Sequence, residues 1–153
     1  MEKVYTKSIR NVALLGHSGG GKTSLAESML YISRVTDRLG MVTEGNTVCD
    51  YDPEEIKRGF SLASKVAPFM WKNTKINVLD TPGFLDFVGE VKQSLRVADA
   101  ALILVDGKAG IEVGTELAWD NAQEAGLPTA FFINKFDDNE ARFGRVLDSL
   151  HEK

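Results

Sequence analysis

The sequence predicts an α/β fold with a mostly parallel sheet and helices on both of its faces. After residue 75, segments with the character of strands alternate with segments of helical period. Residues 100–106, AALILVD, are almost entirely apolar, which is typical of a parallel strand covered on both faces. Polar or glycine-rich motifs follow directly after Leu15, Leu79 and Ile133, at strand ends where parallel sheets bind ligands.

The predicted strands are short apolar segments bounded by turn residues. They comprise residues 9–15, 64–70, 75–80, 100–106 and 129–134. Pro68 lies in the second strand and cannot donate a sheet hydrogen bond, so we expect this strand at an edge or a bulge. Residues 71–74 can form a hairpin turn, with Trp71 as a half-buried side chain.

Helical spacing of apolar residues predicts five helices. One begins at Lys22, and the others comprise residues 54–58, 86–97, 112–125 and 137–151. Pro53 suits the first position of the short helix, Gly126 suits the residue after the fourth helix, and Asp137 would cap the last one. The segment 34–63 otherwise has no clear period, which is typical of a functional or mobile loop.

The composition fits one ordinary domain, and we treat residues 1–153 as such. The formal charge of −4 gives no electrostatic basis for wholesale binding to nucleic acids or membranes. Cys49 is the only cysteine, which excludes a disulfide framework and fits a reducing compartment. Because the sequence shows neither an apolar signal core nor a stretch of membrane-span length, we expect a cytoplasmic location and no membrane partner.

Residues 16–23, GHSGGGKT, match the pattern G-x-x-x-x-G-K-[ST] between a predicted strand and a predicted helix. Glycines permit a tight turn whose backbone N–H groups point at phosphate oxygens, and the start of the helix favours an anion. Lys22 supplies a charge for the β- and γ-phosphates, and Thr23 supplies a hydroxyl for Mg²⁺. The alternative is a flexible glycine turn, which the flanking strand and helix disfavour.

The motif DTPG at 80–83 also follows an apolar strand. The Asp80 carboxylate can hold Mg²⁺ directly or through water, and Gly83 can bring its N–H close to a terminal phosphate. An ordinary Pro-Gly turn is the alternative. The position after a strand, downstream of a phosphate loop, favours the ligand role.

The motif NKFD at 134–137 ends another strand. Asp137 can accept two hydrogen bonds from the ring N–H and the amine of guanine, whereas adenine offers no such pair of donors. Asn134 can orient the base, and the apolar stem of Lys135 can cover its face. A solvated helix start is the alternative interpretation.

Four further polar residues carry weaker signals. Ser61 lies on the long loop, where its hydroxyl could bind Mg²⁺ or the γ-phosphate and so order the loop; a plain surface serine is the alternative. His17 and His151 lack an argument for a catalytic role, since one is at a variable position of the phosphate loop and the other is near a helix end. Cys49 has no identifiable base and is not expected to be a nucleophile.

With these motifs the chain resembles the GTP-binding domain of translational GTPases, and elongation factor G most closely, over roughly residues 8–150. The resemblance extends beyond the short motifs. IRNVALLGHSGGGKTSLAESMLY resembles the opening of that domain, EEIKRGFSL its first switch, and INVLDTPGFLDFVGEVKQSLRVADAALILVDGKAGIEVGTE its second switch and the following segment.

The resemblance implies the Ras-like P-loop NTPase fold, GTP and GDP as ligands, Mg²⁺ as cofactor, GTP hydrolysis as activity and the ribosome as partner. The expected nucleotide-binding residues are His17, Ser18, Gly19, Gly20, Gly21, Lys22, Thr23, Ser24, Asp80, Gly83, Asn134, Lys135 and Asp137. Thr23, Ser61 and Asp80 are expected to hold Mg²⁺, with Lys22 and Gly83 as catalytic residues.

Three positions depart from the family pattern. Phe84 follows DTPG where the family has a histidine implicated in activating water, and a phenyl ring cannot hydrogen-bond to water. Gly19 stands where the family usually has an acidic residue, whereas Ser61 replaces a threonine and keeps the hydroxyl. We therefore expect a diverged relative with impaired hydrolysis, and the alternative function is a non-hydrolysing, GTP-dependent binding switch.

The family also has a further base-contacting motif, containing Ser-Ala, after another strand, and this chain ends at Lys153. We therefore expect an N-terminal fragment of a longer protein. By resemblance its sheet lacks the last strand, which leaves residues 129–134 as an exposed edge. A complete small signalling GTPase is the weaker alternative, because it would need that strand.

Overall fold

In the computed structural model, which describes residues 4–153, one five-stranded sheet forms the centre of the fold. Its strands are β1 (Ile9–Gly16), β2 (Lys65–Trp71), β3 (Thr74–Asp80), β4 (Ala100–Asp106) and β5 (Thr129–Asn134). Their order is β2-β3-β1-β4-β5. β2 pairs with β3 in antiparallel orientation, whereas β3, β1, β4 and β5 run parallel, so the predicted mostly parallel α/β sheet is confirmed.

The helices connect these strands. They are α1 (Lys22–Ile32), α2 (Pro53–Arg58), α3 (Val88–Leu95), α4 (Val113–Glu124) and α5 (Phe143–Glu152). α3 begins two residues later than predicted because a 3₁₀ turn, Leu85–Phe87, precedes it. Within the described residues, no helix is both long enough and apolar enough to cross a membrane.

Both faces of the sheet are buried because successive residues of β1 point to opposite sides. Ala13 and Leu15 belong to a core cluster with residues of α3, α4 and α5, whereas Leu14 packs with Ala26 and Leu30 of α1. Each of these five side chains is at most 1% exposed. This two-sided burial explains why the sequence of β1 ends in an uninterrupted apolar run.

β2 lies at an edge of the sheet, as its proline predicted. Pro68 lies opposite Asn77 of β3, and β2 has no neighbour on its other side among the described strands. A proline is tolerated there because no second strand needs its missing N–H. The prediction that Trp71 belongs to the hairpin turn and is half-buried is wrong, because Trp71 is the last residue of β2 and is exposed, and only residues 72–73 separate β2 from β3.

The long loop 34–63 is partly structured. It contains a 3₁₀ turn, Val42–Glu44, and the short helix α2 with proline at its first position, as predicted. The Asp52 carboxylate caps α2 by accepting the backbone N–H of Glu54 at 2.8 Å.

The predicted start of the last helix, and with it the helix-capping role of Asp137, is wrong. α5 begins at Phe143, directly after Arg142, and residues 137–141 form turns instead. The Asp138 carboxylate accepts the N–H two residues later at 2.8 Å. The Arg142 N–H donates to the carbonyl of Gly107 at 2.9 Å, which ties this segment to the loop after β4.

We predict that Leu14→Ala lowers the free energy of unfolding by about 2–5 kcal/mol, because it opens a cavity in the core between β1 and α1. Ile32→Ala is the control, since Ile32 is 64% exposed at the end of α1 and should cost no more than about 0.5 kcal/mol. Urea unfolding followed by circular dichroism measures both. Equal losses would contradict the assigned core.

Candidate nucleotide-binding site

The phosphate loop, residues 16–23, joins the carboxyl end of β1 to α1 with a backbone that glycine makes possible. Gly16, Gly19 and Gly21 have φ angles of 131°, 76° and 94°, which side-chain-bearing residues rarely adopt. A Cβ added at Gly16 would also lie 2.5 Å from the carbonyl oxygen of Leu104 in β4. The loop is therefore held close to the sheet, with the start of α1 directly behind it.

Lys22 is the first residue of α1 and is only 6% exposed. Its Nζ donates to the carbonyl oxygens of Gly16 at 2.9 Å and His17 at 2.8 Å. Burial lowers the pKa of Lys22 to about 8, and the nearby Asp80 carboxylate opposes this shift. The loop thus carries a buried ammonium group with its donors aimed at backbone oxygens of the phosphate cradle.

Gly83 brings the DTPG motif against the phosphate loop. A Cβ at this position would lie 2.5 Å from Lys22 Nζ and 2.7 Å from the backbone N of Ser18. Only glycine fits such an approach without displacing the loop or the ammonium group. The two motifs, which are distant in sequence, therefore form one site.

Asp80 ends β3 and is completely buried. Its Oδ2 accepts the hydroxyl of Thr23 at 2.7 Å, while its Oδ1 has no hydrogen-bond partner among the described residues. Burial raises the pKa of Asp80 to about 6, an effect that the Thr23 hydrogen bond and the Lys22 charge reduce. A buried carboxylate oxygen without a partner is a costly arrangement that a bound cation offsets.

Ser61 joins this cluster from the long loop. Its Oγ donates to Asp50 Oδ1 at 2.8 Å and lies 3.3 Å from Thr23 Oγ1. The three residues predicted to hold Mg²⁺ therefore lie together. Asp50 is 4% exposed and was not among the predicted site residues, because one acidic residue in a loop rich in charges carries no distinguishing signal.

The oxygen atoms of this cluster suit a hard divalent cation. Hydroxyl and carboxylate oxygens are the ligands that Mg²⁺ uses, and Mg²⁺ normally takes further ligands from phosphates and water. In the described part of the chain, no group of three or more His, Cys, Asp or Glu side chains could hold a metal by itself. The residues fit an ion shared with a phosphate ligand better than a self-contained metal site.

One cavity lies between the phosphate loop, the segment 59–61 and Gly83. The predicted nucleotide-binding residues in its lining are Ser18, Gly19, Gly21, Lys22, Thr23, Ser24 and Gly83. His17 points elsewhere, since its Nε2 lies 3.5 Å from the carboxylate of Glu112, just before α4. The lining combines backbone of the phosphate loop with the buried ammonium group.

The NKFD motif contacts the other side of the phosphate loop. Asn134 Nδ2 donates to the carbonyl of Gly20 at 3.1 Å. A Cβ at Gly21 would overlap the same amide. Lys135 has a φ of 62°, and its Nζ lies 2.8 Å from Asp106 Oδ2 at the end of β4. The strand ends of β1, β4 and β5 therefore meet here.

Asp137 is exposed, on the turn after β5, and lies outside the lining of the cavity. The structure thus joins Asn134 to the phosphate loop by a hydrogen bond but leaves the Asp137 carboxylate open to solvent. Cys49 is buried, and burial raises the pKa of its thiol well above the usual range, in keeping with the expectation that it is not a nucleophile. His151 is exposed near the end of α5.

Phe84, the residue after Gly83, contacts the long loop. Its ring centroid lies 4.4 Å from that of Phe60, with an angle of 53° between the ring planes. Such tilted pairs are favourable aromatic contacts. The contact joins the segment after β3 to the residue preceding Ser61, next to the cavity.

Comparisons with known proteins agree with this geometry. Residues 7–153 match the family described as the elongation factor Tu GTP binding domain. The chain is 43% identical over 151 residues to "Ribosome-releasing factor 2, mitochondrial" of Yarrowia lipolytica, covering 99% of this chain and 19% of that protein. It is 45% identical over 150 residues to the protein of the same name from Anopheles gambiae, covering 98% of this chain and 20% of that protein.

Two solved structures are similar to this chain in fold. A crystal structure of a protein from Thermus thermophilus superposes with a TM-score of 0.91 at 41% identity, covering 95% of this chain and 22% of that one. The elongation factor SelB of Methanococcus maripaludis, solved with the GTP analogue GppNHp, has a TM-score of 0.64 at 20% identity and supports the fold alone. It covers 94% of this chain and 25% of that one.

This chain therefore spans about a fifth of the length of the curated relatives it matches. The match over residues 7–153 confirms the predicted membership of the translational GTPases and the predicted likeness to an elongation factor G-like protein. The chain belongs to the family of elongation factor Tu GTP-binding domains.

Proposed function

We propose that this domain binds GTP and GDP together with Mg²⁺ in the cavity beside the phosphate loop, and that it hydrolyses GTP slowly for a translation factor acting on the ribosome. The observation that carries this proposal is that Lys22, Gly83 and Thr23 line one cavity, with buried Asp80 hydrogen-bonded to Thr23 beside it. Phosphoryl transfer depends mainly on positioning and on charge neutralisation, and these residue types supply both.

Lys22 would hold oxygens of the β- and γ-phosphates. Its ammonium group already lies at the loop, against the carbonyls of Gly16 and His17. The lowered pKa of the buried amine, about 8, is compatible with this role because neighbouring phosphate charges favour the protonated form. Gly83 would place its backbone N–H at the terminal phosphate, since a Cβ added at this position would lie 2.5 Å from Lys22 Nζ and 2.7 Å from the backbone N of Ser18.

Thr23, Ser61 and Asp80 would hold Mg²⁺, with Asp50 supporting Ser61 by a hydrogen bond of 2.8 Å. When bound, the ion supplies positive charge that neutralises the phosphates and the developing charge on the leaving group. The unpartnered Oδ1 of buried Asp80 supports this assignment. Ser61 lies on the loop, so its contact with Thr23 would link the order of the loop to the ligand.

Asn134, Lys135 and Asp137 would select guanine. The hydrogen bond from Asn134 to Gly20 fixes the motif relative to the phosphate loop, and Asp137 is free to accept donors because its carboxylate is exposed. Guanine presents a pair of donors that adenine lacks, so an unpaired carboxylate beside adenine would disfavour that base.

Phe84 is the reason to propose slow hydrolysis. A phenyl ring offers no group that can accept a proton from water or orient it, so water would have to be positioned by the backbone or by a group from the partner. The ring contacts Phe60 instead. This contact favours the second candidate function, a binding switch that holds GTP with little turnover, because it joins the two loops that flank the cavity.

The ribosome and the cellular location belong to the same proposal. The relatives are named as mitochondrial ribosome-releasing factors, which supports a ribosomal partner for the whole protein. We propose that residues 1–153 are one domain of such a longer protein. The sequence led us to expect a cytoplasmic location, whereas the names of these relatives indicate mitochondria. Fractionation of cells followed by immunoblotting would decide between the two locations.

We predict that Phe84→His raises the single-turnover rate of GTP hydrolysis by about tenfold or more, because an imidazole can hydrogen-bond to the attacking water. Phosphate release by the full-length protein, with and without ribosomes, measures the rate. Phe84→Leu is the control, since it also removes the ring contact with Phe60 but adds no polar group, and its rate should stay low. Equal acceleration by both variants would assign the slow rate to ring packing instead.

We predict that Asp137→Asn lowers the preference for GTP over ATP by about tenfold or more, because it removes a charged acceptor of two hydrogen bonds. Competition titration against a fluorescent GTP analogue measures this preference. Asp120→Asn, on the exposed side of α4, is the matched control and should leave the preference unchanged. An unchanged preference in the Asp137 variant would remove Asp137 from the base site.

A further inference from the structure

Glu27 is a buried acidic residue that is not among the residues proposed to contact the nucleotide or Mg²⁺. It lies on α1, one turn beyond Thr23, and is 1% exposed. Its Oε1 accepts the backbone N–H of Val48 at 2.7 Å and that of Cys49 at 3.3 Å. A carboxylate on α1 therefore satisfies two consecutive backbone donors of the long loop.

The same carboxylate contacts a second part of that loop. A Cβ added at Gly40 would overlap Glu27 Oε2 and lie 3.0 Å from Thr47 Cα, so only glycine fits between them. Oε2 is buried and has no hydrogen-bond partner among the described residues. The loop is thus folded around Glu27 at two separate points.

The anchored segment leads directly to the candidate Mg²⁺ cluster. Thr47 Oγ1 accepts the backbone N–H of Asp50 at 3.1 Å, which sets the position of the residue that follows Cys49. Asp50 Oδ1 in turn accepts the hydroxyl of Ser61, which lies beside Thr23. A continuous series of contacts connects Glu27 to Ser61 through the backbone of residues 47–50.

We infer that Glu27 is a positioning residue: by binding the N–H groups of Val48 and Cys49 it holds the loop so that Asp50 and Ser61 face the Mg²⁺ site. This inference rests on the proposed function, because it assigns the cluster to Mg²⁺ bound with a nucleotide. It adds a residue of α1 that touches neither nucleotide nor metal and acts through the loop.

The test uses Glu27→Leu and Glu27→Gln in the full-length protein. Hydrogen exchange at the amides of Val48 and Cys49, measured without nucleotide or metal, reports the loop contact itself. Titration of a fluorescent GTP analogue in excess Mg²⁺ and in EDTA gives the factor by which Mg²⁺ tightens binding. Glu54→Leu is the matched control, since Glu54 is an exposed glutamate of the same loop.

Glu27→Leu should speed exchange at both amides and lower the Mg²⁺ factor by about tenfold, the usual scale for residues that orient metal ligands. Affinity in EDTA should stay within about twofold. Glu27→Gln keeps an acceptor oxygen and should retain most of the Mg²⁺ factor. Gly40→Ala adds a methyl group that would collide with the same carboxylate from the loop side, and it should act like Glu27→Leu. It provides a second test if Glu27→Leu fails to fold.

Two outcomes overturn the inference alone. One is a Mg²⁺ factor that equals that of the unchanged protein in both Glu27→Leu and Gly40→Ala, even if hydrogen exchange at the two amides becomes faster. Glu27 would then stabilise the loop without affecting the Mg²⁺ site. The other is an equal loss of affinity with and without Mg²⁺. If the unchanged protein itself shows no Mg²⁺ factor, the proposed function fails, and the inference with it.

Discussion

The burial of opposite charges at the carboxyl ends of β1 and β3 is the constraint on which the site depends. Lys22 and Asp80 are 6% and 0% exposed, and removing charged groups from water is costly unless partners replace the lost hydration. The carbonyls of Gly16 and His17 accept hydrogen bonds from the Lys22 ammonium group, and the Thr23 hydroxyl donates one to a carboxylate oxygen of Asp80. These carbonyls belong to a loop whose glycines Gly16, Gly19 and Gly21 adopt positive φ angles, which glycine does without strain.

The charged groups that are buried beside the long loop also have hydrogen-bond partners, because their carboxylates accept backbone N–H groups of the loop. Glu27 accepts two of its N–H groups, and Glu55 accepts those of Leu62 and Ala63 at 2.8 and 3.2 Å. Lys65 Nζ lies 3.3 Å from the other oxygen of Glu55. Two buried carboxylates therefore anchor this loop by binding pairs of consecutive backbone N–H groups.

Local patterns in the sequence predicted most of the fold and the central motifs. The apolar run of β1, the glycines of the phosphate loop and the proline of β2 each act on their immediate neighbours, so their consequences are visible in a short window. The start of α5 was missed because a backbone bond between Arg142 and Gly107, far apart in sequence, decides it. Asp50 and Glu27 were missed for the same reason, since their partners lie on other elements.

In the proposed function, Phe84 affects the hydrolysis of GTP rather than the binding of the nucleotide. The candidate phosphate and Mg²⁺ contacts come from backbone groups, Lys22 and oxygen atoms around Asp80, and none of them needs a side chain at position 84. The ring instead packs on Phe60, a contact worth about 0.5–1.5 kcal/mol beyond its buried area. In the proposed function, the residue that offers no polar group to an attacking water therefore also joins the two loops that flank the cavity. Both features favour the proposed binding switch, in which bound GTP persists.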